Sequence, residues 1–277
     1  MGISLPLFVW DVHPTLFTIG PVEVRYYGLM WALGFIISAY IISNIMKREG
    51  YPEKTFDSFF WYALLSTVIG SRLGHCLFYA PGYYLTHPIE ILYIHQGGMA
   101  SHGAAVGLLV GLWLFSRKNK IPYIWSLDRI GILVAISGAL VRIGNFMNSE
   151  IFGRPTSLPW GVEFVLSNEW NTLYKGLPCH PTQLYEALAY LIIFVAFLWL
   201  YYRKNLAQRR PGAMFGIFLI ALFGIRFLIE FIKNPQEDFE VGMILNMGQL
   251  LSIPFIVAGC VLLYRAYRAP EKKLEKK

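Results

Sequence analysis

Gly212-Ala-Met-Phe-Gly-Ile-Phe-Leu-Ile-Ala-Leu-Phe-Gly-Ile-Arg-Phe-Leu-Ile-Glu-Phe-Ile-Lys233 carries no charge until Arg226, and every other residue up to Glu230 is apolar. A helix needs about 20 mainly apolar residues to cross a bilayer, and this stretch is long enough. A soluble core has no use for a helix that is apolar on every face unless it is wholly enclosed. Working outward, the same window finds spans at 25–46, 57–79, 98–116, 122–145, 181–202 and 247–268, making seven with 212–233. The fourth is interrupted near one end by Asp128-Arg129. Composition agrees: 56% of the 277 residues are hydrophobic, only 15% are charged, and mean hydropathy is +0.47, where soluble domains carry about 25% charged residues. The reading is an all-α integral membrane protein, a single membrane domain over 1–277. Residues 148–180, the longest polar stretch, form a small extramembrane cap.

The formal charge of +7 could suggest nucleic acid. The basic residues lie instead in short clusters between apolar runs, as in membrane-protein loops, and nucleic acid is excluded as a partner. Lys47, Arg48 and Lys54 follow the first span, Arg117, Lys118 and Lys120 the third, and Arg203, Lys204, Arg209 and Arg210 the fifth. Arg265, Arg268, Lys272, Lys273, Lys276 and Lys277 end the chain. The opposite loops hold only Arg154 and Lys175. This bias places the N-terminus outside and the C-terminus in the cytoplasm. It also requires the fourth span, because the basic 117–120 loop and the 148–180 cap lie on opposite sides. Lys and Arg are absent from the first 24 residues, so no cleavable signal peptide is expected. Cys76, Cys179 and Cys260 are widely spaced without a CxxC, which gives neither a disulfide framework nor a metal site. The adjacent Cys179-His180 has no partner motif.

Six basic residues fall within or at the rims of the spans: Arg25, Arg72, Arg129, Arg142, Arg226 and Lys233. Arginine at mid-bilayer costs at least ~2.5–3.5 kcal/mol, and such residues mark function or a buried pair. Arg72, Arg142 and Arg226 all come to the outer half of the bilayer, as do Tyr26, His102 and Glu186 near the outer starts of their spans. Guanidinium groups gathered near lipid headgroups suit a phosphate, which they bind bidentately. Plainer readings stand beside this one. Arg226 and Glu230, four apart, can form a self-neutralising pair. His75 can be a core residue, Asp128-Arg129 an interfacial anchor, and Arg25 and Lys233 snorkelling rim residues. The densest polar segment is Val141-Arg-Ile-Gly-Asn-Phe-Met-Asn-Ser-Glu-Ile-Phe-Gly-Arg-Pro155, which supplies far more than a helix cap needs.

Arg142-Ile-Gly-Asn-Phe-Met-Asn-Ser-Glu-Ile-Phe-Gly153 resembles the signature of the prolipoprotein diacylglyceryl transferase family. Gly97-Gly-Met-Ala-Ser-His-Gly103, His180-Pro-Thr-Gln-Leu-Tyr-Glu186, Arg226-Phe-Leu-Ile-Glu230 and Tyr26-Tyr-Gly28 look like its other motifs, in the expected order over most of the chain. The resemblance implies an enzyme of the bacterial inner membrane with its N-terminus and cap in the periplasm. Its partners would be phosphatidylglycerol, the lipobox cysteine of a prolipoprotein signal peptide and membrane lipid. The diacylglyceryl group would pass to the cysteine thiol with release of glycerol phosphate, in the first step of lipoprotein maturation, without metal or organic cofactor. It also implies that Arg142 and Arg226 hold the phosphate and that His102 is the candidate base, a phosphate oxygen being the other. Tyr26, Asn145, Glu150, Gly153 and Glu230 match further important positions, and Arg72 and Glu186 join them as substrate-binding candidates. Two positions depart from the family pattern: Leu222, where some members carry Tyr, and Ala104, where Gly is commoner. A transporter or flippase would want charges along a whole path and often an inverted repeat. A transferase with a hydroxyl acceptor would use the same arginines.

Overall fold

The computed structural model describes residues 8–20, 22–93, 98–234 and 242–272. Gly97 of the third motif and Lys273, Lys276 and Lys277 of the basic tail lie outside the described residues. Seven long helices coincide with the expected spans to within about four residues: α1 (Tyr26–Arg48), α2 (Glu53–Phe78), α4 (Ser101–Asn119), α5 (Tyr123–Met147), α7 (Thr182–Tyr202), α9 (Ala213–Ile229) and α10 (Met247–Arg268). Short helices α3 (Pro81–Thr86), α6 (Asn168–Leu173) and α8 (Leu206–Arg209) and 3-10 turns at Pro88–Leu92 and Glu230–Ile232 lie between them. Five are long and apolar enough to cross a membrane: α1, α5, α7, α9 with its 3-10 extension, and α10. Helices α2 and α4 are not among these five; α2 carries Glu53, Lys54, Asp57 and Arg72, and α4 ends in Arg117-Lys118.

The chain divides into two compact units, Ala39–Leu127 and Met1–Ser38 with Asp128–Lys277. In the first unit α2 and α4 pack through glycine. A Cβ added to Gly70 would lie 2.5 Å from the Gly103 carbonyl oxygen, and one added to Gly74 would lie 2.7 Å from the Gly103 Cα. With Gly107 and Gly111 facing Gly70 and Ser66, the two backbones touch along a seam of small residues four apart. Membrane helices associate this way because lipid offers no hydrophobic drive and close backbone packing must supply it.

The second unit holds α7, α9 and α10. Helix α10 starts with a capping box in which the Asn246 side chain accepts from the Gln249 amide and Gln249 reaches back. Helix α9 follows Gly212, at φ 92°, and has no capping side chain of its own. Asp128 of α5 supplies it from a distance, its two carboxylate oxygens accepting from the Gly212 amide (2.7 Å) and the Phe215 amide (2.9 Å). The interfacial-anchor reading of Asp128-Arg129 is thereby corrected: both are buried, and Arg129 lies over the Tyr201 ring. Arg25, by contrast, is exposed and paired with Glu23 at 2.8 Å.

All-α is accurate for the spans but not for the polar ends. Thr15–Ile19 (β2) pairs antiparallel with Val22–Arg25 (β3), and Phe8–Val9 (β1) runs parallel to Val162–Glu163 (β4). Residues 148–180 have a core of their own, in which Phe152, Val162, Phe164, Trp170 and Cys179 pack with Phe146 at the end of α5. Trp10 packs against that core. Burial pushes the Cys179 thiol up to about 12, so it stays protonated and serves as a small apolar side chain.

Candidate active site

Helix α5 runs on to Met147 and then breaks sharply. Ser149 and Ile151 both adopt positive φ, 55° and 61°. That conformation is costly for a β-branched residue and persists only where its surroundings impose it. The first turn of α7 does so: Gln183 Nε2 donates to the Glu150 carbonyl (2.6 Å) and Thr182 Oγ1 to the Ile151 carbonyl (2.9 Å). The bend turns Glu150 back toward α5, where its carboxylate accepts from Asn145 Nδ2 (2.7 Å) and Asn148 Nδ2 (3.4 Å). Asn145 Oδ1 in turn accepts from Arg142 Nη1 at 3.2 Å.

From Arg142 a chain of alternating charge crosses the second unit. Arg142 Nε lies 2.9 Å from Glu186 Oε2 on α7. The other oxygen of Glu186 receives Lys233 Nζ at 3.0 Å, and Lys233 also reaches Glu230 Oε1 at 3.3 Å. Glu230 Oε1 stands 3.8 Å from Arg226 Nε, and Glu230 Oε2 accepts from Asn246 Nδ2 at 3.0 Å. A Cβ at Gly248 would strike the Glu230 carboxylate, 2.6 Å from Oε1, so the start of α10 must be glycine for the carboxylate to lie there. Three helices thus bring three cations and two carboxylates together in a largely buried line. The Arg226 side chain keeps 33% of its surface exposed, against 2% for Lys233.

In the direct ion contacts two carboxylates face three cations, with Glu150 joined to Arg142 only through Asn145, an arrangement whose chemistry suits an anion. Polar atoms beside it are also orphaned: among the described residues Asn148 Oδ1, Ser149 Oγ and Gln183 Oε1 are buried without a hydrogen-bond partner. Buried polar groups are normally satisfied, so unpaired ones ask for a ligand or water. Gly153 passes where a side chain cannot: a Cβ would sit 2.5 Å from the Ile232 carbonyl oxygen. Its amide donates to His180, and it bridges to Lys233.

The structure brings Arg142, Asn145, Glu150, Gly153, Glu186, Arg226 and Glu230 into this one connected region. Tyr26 begins α1, its amide donating to Pro14. Its neighbour Tyr27 packs against Gly144 and lies in the field of Arg142. Sequence reasoning missed two residues. Lys233, taken for a rim residue, is buried at the centre of the chain; its spacing of three from Glu230 was the available signal. Tyr190, one turn after Glu186, is buried in the field of both Arg142 and Arg226.

The other candidates belong to the Ala39–Leu127 unit. Arg72 is buried with its guanidinium turned onto main chain: Nε donates to the Ile91 carbonyl (2.9 Å), Nη2 to Glu90 (2.6 Å) and Nη1 to Gly98 (3.2 Å). The Tyr84 ring lies 5.1 Å from it. These contacts hold the segment between α2 and α4 and spend donors that a phosphate would need. His75 stacks on Tyr79 and meets Tyr84 edge-on, as a structural histidine does. His102, exposed in the first turn of α4, touches the rings of Phe78 and Tyr79. No hydrogen bond or ion pair fixes its imidazole among the described residues.

A profile described as prolipoprotein diacylglyceryl transferase matches residues 14–265. The chain is 45% identical to the phosphatidylglycerol--prolipoprotein diacylglyceryl transferase of Porphyromonas gingivalis, over 97% of this chain and 98% of the relative. A protein of the same name from Tolumonas auensis is 42% identical, covering 93% and 96% of the two chains. One from Chloroherpeton thalassium is 39% identical, covering 96% of each. With the signature residues assembled around one buried run of charge, the chain belongs to the prolipoprotein diacylglyceryl transferase family.

Proposed function

We propose that this chain, a membrane transferase of lipoprotein maturation, moves the diacylglyceryl group of phosphatidylglycerol onto the lipobox cysteine of a prolipoprotein. The observation that carries the mechanism is the linkage of Arg142 and Arg226, from separate helices, through Glu186, Lys233 and Glu230. The two guanidinium groups hold the phosphate, with Asn145 and Glu150 orienting Arg142. The cysteine sulfur forms a bond to the glyceryl carbon that bears the phosphate ester. The carbon–oxygen bond breaks, and glycerol phosphate leaves with the bonding electrons. Fixed cations in a site poor in water stabilise that departing charge. The thiol proton goes to His102, the residue the family resemblance points to, or to a phosphate oxygen. The nucleophile comes from the substrate, so none of the chain's own cysteines has to react.

In this reading α2 and α4 cross the membrane with the other five helices. The basic clusters face the cytoplasm, and the cap and the charged line lie at the periplasmic side of the bacterial inner membrane. Incubating the purified protein in phosphatidylglycerol vesicles with a lipobox peptide tests the reaction. The expected result is a mass gain of one diacylglyceryl unit on the peptide cysteine. Lipid movement across the vesicle without that product would overturn the reading in favour of transport.

A further inference from the structure

Lys233 has no work in the reaction as proposed, yet it is the hub of the charged line. Its ammonium lies between two carboxylates on different elements, 3.0 Å from Glu186 Oε1 and 3.3 Å from Glu230 Oε1. Each of those carboxylates also faces an arginine, Glu186 through its second oxygen and Glu230 through the same one. The Lys233 backbone is anchored as firmly. It pairs with Gly153 in an antiparallel bridge, and its carbonyl accepts from Arg154 Nε at 3.2 Å. At 2% exposure the side chain is shut away from any ligand, whereas Arg226 is partly open.

We infer that Lys233 is a positioning residue: its ammonium holds one oxygen of Glu186 and of Glu230, so that each carboxylate meets its arginine through a single oxygen and both arginines keep N–H groups for the lipid phosphate. This rests on the reading that Arg142 and Arg226 bind that phosphate. The balance of direct ion contacts supports it. Glu150 reaches Arg142 only through Asn145, so the paired line sets three cations against two carboxylates with Lys233 and two against two without it. The long flexible stem of lysine is no handicap here, because burial and two acceptors fix the ammonium. Arginine would also supply a fixed cation, whereas methionine would fill the volume and remove the charge.

The test is steady-state lipidation of a lipobox peptide in phosphatidylglycerol vesicles by the wild-type chain and by Lys233→Met, Lys233→Arg and the double variant Lys233→Met with Glu186→Gln. Lys233→Met is expected to raise the KM for phosphatidylglycerol by roughly 30-fold, the scale of losing one partner of a buried charge pair, while kcat moves by less than about fivefold. Lys233→Arg is expected to keep KM within about fivefold of wild type. The double variant, which removes one charge of each sign, is expected to recover roughly tenfold of the KM lost in Lys233→Met. A merely structural lysine would show no such recovery. A folded Lys233→Met with unchanged KM, a Lys233→Arg as defective as Lys233→Met, or a double variant without recovery would each overturn the inference. Should Lys233→Met fail to insert, the double variant decides, since a KM as high as roughly 30-fold above wild type would again overturn it. Failure of the transferase reading itself looks different: the wild-type chain would give no lipidated peptide at all.

Discussion

Two arginines, Arg72 and Arg142, look alike in the sequence and are opposites in the structure. Each lies in a long helix, in one of the chain's two compact units. Arg72 gives its guanidinium to the carbonyls of Glu90, Ile91 and Gly98, neutral acceptors in the segment that follows its own helix. Arg142 faces the carboxylate of Glu186 and an asparagine that is itself tied to Glu150. Their partners differ in kind: carbonyls use up donors without answering charge, whereas the carboxylate that faces Arg142 is shared with a second cation, Lys233.

The comparison breaks if the wrong arginine proves indispensable. Arg142→Ala is expected to lower the rate of peptide lipidation by roughly 10²–10³, the cost of losing a fixed donor to developing negative charge, while membrane insertion and the thermal midpoint in detergent stay near wild type. A second substitution sharpens the contrast inside the Ala39–Leu127 unit. His102→Gln is expected to slow transfer by about 10², as loss of a general base does. The deficit should shrink as pH rises through the usual thiol range near ~8.5, where the substrate thiolate forms unaided. An unchanged pH–rate profile would remove His102 from proton transfer. Arg72→Met is expected to act on stability instead. It leaves three carbonyls without their donor and lowers unfolding free energy by about 3 kcal/mol, with the rate per folded molecule within roughly threefold of wild type. The smallest effect concerns Asp128, a buried carboxylate that accepts from main-chain amides. Asp128→Asn weakens a helix cap and is expected to cost about 1 kcal/mol in a thermal melt, without a change in KM.

The helices were legible because apolar runs of membrane length announce themselves: the stretch quoted first became α9 and its 3-10 turn over Ala213–Ile232, one residue inside each expected limit. The signature around Arg142 was legible because a membrane exit seldom needs so many polar side chains. What escaped depended on distance along the chain. Asp128 caps a helix 84 residues away, and Lys233 meets Glu186 across 47. In single-sequence reading each looks like an ordinary charge near the end of a span. The glycine seam escaped for another reason. Gly70, Gly74, Gly103 and Gly107 matter only as pairs facing each other, and one span read alone shows them as gaps in an apolar pattern. The hairpin of β2 and β3 is too short, and too close to a helix start, to stand out by periodicity.

The first turn of α7 has two grips. Thr182 and Gln183 clasp the left-handed bend at Ile151 and Glu150, and one turn further on Glu186 meets Arg142 and Lys233. A tilt or slide of that helix end would therefore shift the bend and the charged line together, as a lever moves both its loads. Lesions on the two sides should accordingly fail to add: a variant already loosened at Gln183 has less left to lose at Glu186. A double-mutant cycle between these neighbours would measure how far the bend and the charged line depend on one helix end and not on any single side chain.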